Sequence, residues 1–167
     1  MPQTIGDQSN SAMWRQHLQG QNYRLAQMEG TKAPLGSLVI VTEEVDASTT
    51  TSSTTYVSAP DGNGPSLTVT VGASGQLLVL ASCFMEPGGN DQTCFAGVYV
   101  NGTLLNNYDT LAVGANGTPI AVNAASARHV TGLPPTSSVT VELKYRVSAS
   151  APGAGTFGGR TLTCWPL

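Results

Sequence analysis

Ser66–Met85, SLTVTVGASGQLLVLASCFM, carries the pattern from which the fold is read. In its first half Leu67, Val69 and Val71 alternate with Ser66, Thr68 and Thr70, the period of a strand with one wet face. Gly72-Ala73-Ser74-Gly75 then supplies the small residues and permissive backbone of a reversal, so the two halves are expected to form a hairpin. The second half does not alternate polar with apolar. Leu77, Val79 and Ala81 fall on one face and Leu78, Leu80 and Phe84 on the other, so both faces are greasy. Such a strand needs two covers: the core of its own domain and, on this reading, a neighbouring subunit. Nothing in the stretch carries catalytic chemistry.

The chain has 167 residues, enough for one compact domain and an appendage. Charged residues make up 10%, against about 25% in ordinary globular chains, and Thr, Ser, Gly and Ala take their place. An uncharged polar surface suits close packing of many copies, because fewer long side chains must be ordered. A net charge of −3 provides no basic field for nucleic acid. The N-terminus MPQTIGDQSN has neither a basic region nor an apolar run typical of a signal peptide. No apolar stretch approaches the length of a membrane span. The expectation is a protein made in a cytoplasm.

Residues 9–29 differ in composition from the rest: rich in Gln, Leu, Arg and Met, without Pro, and followed by Gly30 as a stop. The pattern predicts a helix, with Asp7 or Ser9 as its cap. Ser11, Trp14, Leu18, Gln21, Leu25 and Met28 repeat at alternating three- and four-residue spacing, the seam of a short coiled coil or of a helix lying in a groove. A lone helix of about twenty residues is marginal in water, so it needs a partner. Trp14, Leu18, Leu25 and Met28 are its candidate oligomerisation or anchor residues; the alternative is that the helix folds back onto its own domain. Thr31–Gly36, TKAPLG, reads as a linker. The expected organisation is an arm and anchor helix over 1–30, a linker over 31–36 and a β domain over 37–167.

Strands are expected at Ser37–Val45, Cys94–Val100, Leu104–Tyr108, Ser138–Val147 and Arg160–Trp165. Two weaker ones are expected near Pro119–Asn123 and Arg128–Thr131, and Ala47–Thr55 reads as an edge strand or a loop. Asn101-Gly102 fits a type I′ hairpin turn. In Ser138–Val147, Val139, Val141, Leu143, Tyr145 and Val147 point inward and Thr140, Glu142, Lys144 and Arg146 outward. Eight to ten short strands with turn chemistry between them make a mainly β chain, an antiparallel β-sandwich or jelly roll.

Candidate chemistry is thin. His17 and His129 are the only histidines, with no Cys or second His at metal-ligand spacing, although a His on a threefold axis would meet its own copies. There is no GxSxG elbow. Glu43, Glu44 and Asp46 read as a solvated strand end in preference to a calcium site. The aromatic lining of a glycosidase groove is missing, and GGND (88–91) and GAGTFGG (153–159) lie between strands rather than before helices. Asn101-Gly-Thr and Asn116-Gly-Thr match the glycosylation sequon but read as turns. Cys83, Cys94 and Cys164 read as small buried hydrophobes, with a Cys83–Cys94 bridge left open. No catalytic residue, metal or cofactor is expected.

TSSTTYVSAPDGNGPSLTVTVGASGQLLVLASC (52–83), VTGLPPTSSVTVELKYRVSA (130–149) and TFGGRTLTCWPL (156–167), behind a seam helix and a Pro/Gly linker, resemble the small structural proteins of tailed bacteriophages, particularly those infecting actinobacteria. The resemblance implies a helix anchoring the chain to the particle and a projecting sandwich, usually trimeric. It implies a non-enzymatic virion protein, either a minor tail or fibre-like protein at the tail tip or baseplate, or a capsid decoration or head-fibre protein. The implied partners are its own copies in a homotrimer, other virion proteins and a host-surface glycan. Leu78, Leu80 and Phe84 are the candidate subunit interface. Loops 60–64, 86–92 (a flexible tip), 114–117 and 151–159, with Tyr108 and Phe157, are candidate contacts with a host. A lectin-like carbohydrate-binding module is the competing class, and a hydrolase the third.

Overall fold

The computed structural model describes residues 39–105, 111–114, 119–148 and 153–167. The anchor helix with Trp14, Leu18, Leu25 and Met28, the linker, His17 and Tyr108 lie outside the described residues.

Among the described residues, ten antiparallel strands form two packed sheets. In chain order they are β1 (Val41–Val45), β2 (Thr49–Thr51), β3 (Ser66–Thr70), β4 (Leu77–Glu86), β5 (Thr93–Val100), β6 (Thr103–Leu104), β7 (Leu111–Gly114), β8 (Val122–Val130), β9 (Ser138–Val147) and β10 (Gly155–Pro166). Sheet I has the order β1-β10-β4-β8, with β2 also on β10. Sheet II has the order β3-β9-β5-β6, with β7 also on β5. Between them lies one core, in which Leu77, Met85, Val98, Leu143, Tyr145, Phe157 and Leu162 are fully buried. The expected β-sandwich is the observed architecture.

The alternation in Ser138–Val147 is realised as read, with Val139, Val141, Leu143, Tyr145 and Val147 buried. Asn101 (φ 48°) and Gly102 (φ 77°) both occupy the left-handed region, as a type I′ turn demands, and join β5 to β6. The β6 strand is only two residues long, Thr103–Leu104.

Four expectations are corrected. The stretch 66–85 is not a hairpin: β3 pairs with β9 in sheet II while β4 sits between β10 and β8 in sheet I. Both strands press one apolar row into the common core, so the turn between them crosses from one sheet to the other. The two weak strands near 119–123 and 128–131 are a single nine-residue strand, β8, registered without a break against β4 from Met85↔Val122 to Leu77↔Val130. Its Ala-Ala-Ser-Ala centre has no β propensity, and pairing supplies what propensity lacks.

The Gly/Ala/Pro stretch before Arg160 is strand from Gly155 onward. Between Gly158↔Phe84 and Thr161↔Ser82 the strand holds one residue more than its partner, a bulge with Gly159 at φ 48°. The extra residue reverses the alternation, so Phe157 before it and Arg160, Leu162 and Cys164 after it all face the core. Finally, strand β1 begins at Val41, leaving Val39 and Ile40 65% and 51% exposed.

Candidate interaction face

The strand registers lay the outer face of sheet I out as rows across the strands. One row runs Trp165, Leu78, His129; the next Thr42, Thr163, Leu80, Ala127; the next Glu44, Thr161, Ser82, Ala125. Phe84 and Asn123 follow. Leu78 and Phe84 are half-buried, while Leu80 (41%) and Trp165 (37%) remain open to solvent. No Lys or Arg stands in these rows, and the carboxylates Glu44 and Glu86 sit toward the margins. Around Leu80 the small side chains leave a shallow depression of about 390 Å³ lined by Ser82, Ala125, Ala127, Thr161 and Thr163. The three candidate interface residues therefore share one surface. Trp165, which sequence reasoning did not single out, belongs to it; its spacing from Thr163 and Thr161 along β10 was the available signal.

The outer face of sheet II is built differently. Arg146 places its guanidinium 3.8 Å from the Phe95 ring centre and 5.2 Å from that of Tyr56. Lys144 lies 4.8 Å over Tyr99 and 3.3 Å from the Glu142 carboxylate, which also accepts a 2.6 Å hydrogen bond from the Ser58 hydroxyl. Tyr56 meets Tyr99 edge-on at 5.6 Å. Tyr56 fits only because residue 97 is glycine: a Cβ there would lie 2.8 Å from the Tyr56 ring and from Leu104. Each long cation shields an aromatic face and keeps its own charge near water.

Two of the loops expected as host contacts are held by hydrogen bonds. In loop 60–64, Asp61 accepts the Asn63 N–H at 3.2 Å and lies 3.6 Å from the Arg160 guanidinium, which is fully buried and donates to the Ala47 carbonyl at 2.8 Å. Partial desolvation would raise the Asp61 pKa, but the Asn63 N–H and the Arg160 charge outweigh it and hold the carboxyl below its ordinary value. In the 86–92 loop, expected as a flexible tip, buried Gln92 accepts the Gly88 N–H at 2.6 Å and donates to the Gly153 carbonyl at 3.0 Å. Phe157, a candidate contact, is instead in the core, 5.0 Å from the Tyr145 ring. Residues 115–118 and 149–152 lie outside the described residues.

Cys83, Cys94 and Cys164 are free buried thiols, so Cys83 and Cys94 are not bridged. Burial pushes them up to about 12, 11 and 12, away from the thiolate that nucleophilic or metal chemistry requires. His129 Nε2 is 2.9 Å from the Gln76 side-chain oxygen. Among the described residues no three His, Cys, Asp or Glu side chains converge as a metal site would need, and no helix is long and apolar enough to cross a membrane.

No protein-family model matches the chain, and no curated protein does. Among solved structures, that of infectious bursal disease virus, Gt strain, aligns with a TM-score of 0.48 and 14% identity, over 78% of this chain and 33% of that one. The VP2 subviral particle of the same virus aligns at 0.47 and 13%, with the same coverage. The chain spans about a third of the length of these proteins.

Proposed function

We propose that this chain is a non-enzymatic structural subunit of a virus particle. In the specific form we favour, it is a helix-anchored homotrimer at the tail tip or baseplate of a tailed phage, with the outer face of sheet I packed on sister copies. The observation that carries the reading is the face itself: four strands wide, without Lys or Arg, and presenting Leu80 and Trp165 to solvent. Contiguous apolar exposure of this kind is what an assembly interface presents before it closes. The short polar side chains around Leu80 are cheap to order on contact, which suits a protein packed in many copies. A capsid decoration role uses the same face and differs only in where the subunit sits.

In the lectin-like reading, aromatic rings must be open to sugar; on sheet II Phe95, Tyr56 and Tyr99 carry Arg146 and Lys144 over them, which leaves that role to Trp165 on the sheet I face. The full-length chain is expected to run as a trimer or a multiple of one in light scattering, and labelled antibody is expected at the particle's tail tip. Trp14→Ala is expected to abolish incorporation into particles. Label over the head moves the assignment to decoration, and a monomer that binds a glycan array overturns the assembly reading.

A further inference from the structure

The edges of the two sheets are not equally protected. A sheet edge exposes a row of unpaired N–H and C=O groups, and folded proteins blunt it with short strands, bulges, Lys or Pro. Strand β1 is five residues long with Glu43 and Glu44 in its middle, β2 is three residues, β3 five, β6 two and β7 four. Strand β8 is the exception. It is nine residues long, VNAASARHV, with no Pro, Lys or Gly, and its register against β4 runs without a bulge. Among the described residues no strand pairs with its other side. At a rise of about 3.4 Å per residue this is an open edge of about 30 Å. Arg128 is its single charge, and that residue lies on the core-facing side, opposite Val79.

We infer that β8 pairs antiparallel with β8 of a second copy, about a twofold axis through Ser126, joining two copies of sheet I into one ten-stranded sheet. Full overlap of the two nine-residue strands fixes the centre at Ser126. That register sets Ala125 against Ala127, Asn123 against His129, Val122 against Val130 and Ala124 against Arg128 of the second copy. Each pairing joins residues of the same parity, so core faces meet core faces and the outer faces, without Lys or Arg, run on continuously. The two Arg128 side chains never stand directly opposite each other, so the register avoids the like-charge contact that would reject it. A self-complementary patch of this kind is what a twofold contact requires. The contact is separate from the packing of outer faces proposed above and does not depend on which particle the protein belongs to.

Cross-linking of the full-length chain tests it. The three native thiols are buried, so an introduced cysteine reports alone. Ser126→Cys, at the axis, places two thiols within disulfide range, whereas Val122→Cys places them at opposite ends of the paired strands. Mild oxidation is expected to give at least about ten times more covalent dimer from S126C than from V122C. A second pair of variants fixes the register. In the S126C background, Ala125→Lys with Ala127→Glu sets opposite charges across the axis and is expected to keep the cross-link. Ala125→Lys with Ala127→Lys sets like charges there and is expected to abolish it. The two double variants differ by one exposed side chain, so each controls for folding of the other. Equal cross-linking from S126C and V122C, or unchanged cross-linking of the like-charged variant, overturns the inference. Loss of the outer-face contact in Leu80→Glu with S126C dimers retained separates it from the trimer reading.

Discussion

The two outer faces of the sandwich share a fold and a core but solve the problem of facing water in opposite ways. On sheet II the polar positions of the alternation carry Glu142, Lys144 and Arg146, and the two cations reach across to cover Tyr99, Phe95 and Tyr56. On sheet I the same positions carry Thr161, Thr163, Ala125 and Ala127 around Leu80, and nothing long enough to cover it. The difference teaches that low charge in this chain is not spread evenly. Sheet II is finished by its own side chains, and sheet I is left to be finished by contact.

The most damaging test of that contrast is a carboxylate at its centre. Leu80→Glu is expected to weaken self-association by at least about 100-fold, the scale of a buried interface anchor, with little change in the thermal stability of the subunit. Lys144→Glu on the opposite face is expected to leave association unchanged, and sedimentation of the two variants side by side decides whether the asymmetry matters.

Gly97→Ala should cost about 2 kcal/mol in denaturant unfolding, because the added methyl drives Tyr56 and Leu104 off the sheet. Arg146→Ala should cost about 1 kcal/mol through loss of its two ring contacts. The matching truncation Thr163→Ala on sheet I should fall within about 0.5 kcal/mol.

Two small pH effects sharpen the picture of what lies between the faces. The thiols are raised from 9.0 to about 11 and 12 by burial, so the unfolded chain gives up their protons first. Their contribution is complete below the unfolded value and is lost as pH rises through the folded values; melting temperature should fall on the alkaline side, less so in Cys164→Ala. Asp61 has the opposite sign. Its pKa is lowered in the folded chain, so its contribution is present above the ordinary carboxylate value and is lost as pH falls through the lowered one. Acid melts of Asp61→Asn should show a shallower slope than the parent.

Where side-chain alternation is strict, as in Ser138–Val147, the sequence alone was enough to place the strand and both its faces. The Asn101-Gly102 turn was equally plain, because few residue pairs accept two positive φ angles. The partition of β3 and β4 between sheets was not legible, since a turn that crosses the core uses the same Gly and Ser as one that closes a hairpin. Arg160 was invisible for another reason: a single bulge residue at Gly158–Thr161 inverts the parity from which burial is read. The interaction face was half legible. Leu78, Leu80 and Phe84 emerge from an unbroken apolar run, whereas Trp165 joins them only once β10 is laid beside β4.

Strand β10, last of the ten in chain order, occupies the middle of sheet I, holding β1 and β2 on one side and β4 on the other. Until the ribosome has released it, β1 has no strand to pair with among the described residues, and β4 is bare along one flank. The nascent chain therefore cannot close its core piecemeal, and fragments cut short by a stalled translation event would expose two sticky strand flanks at once.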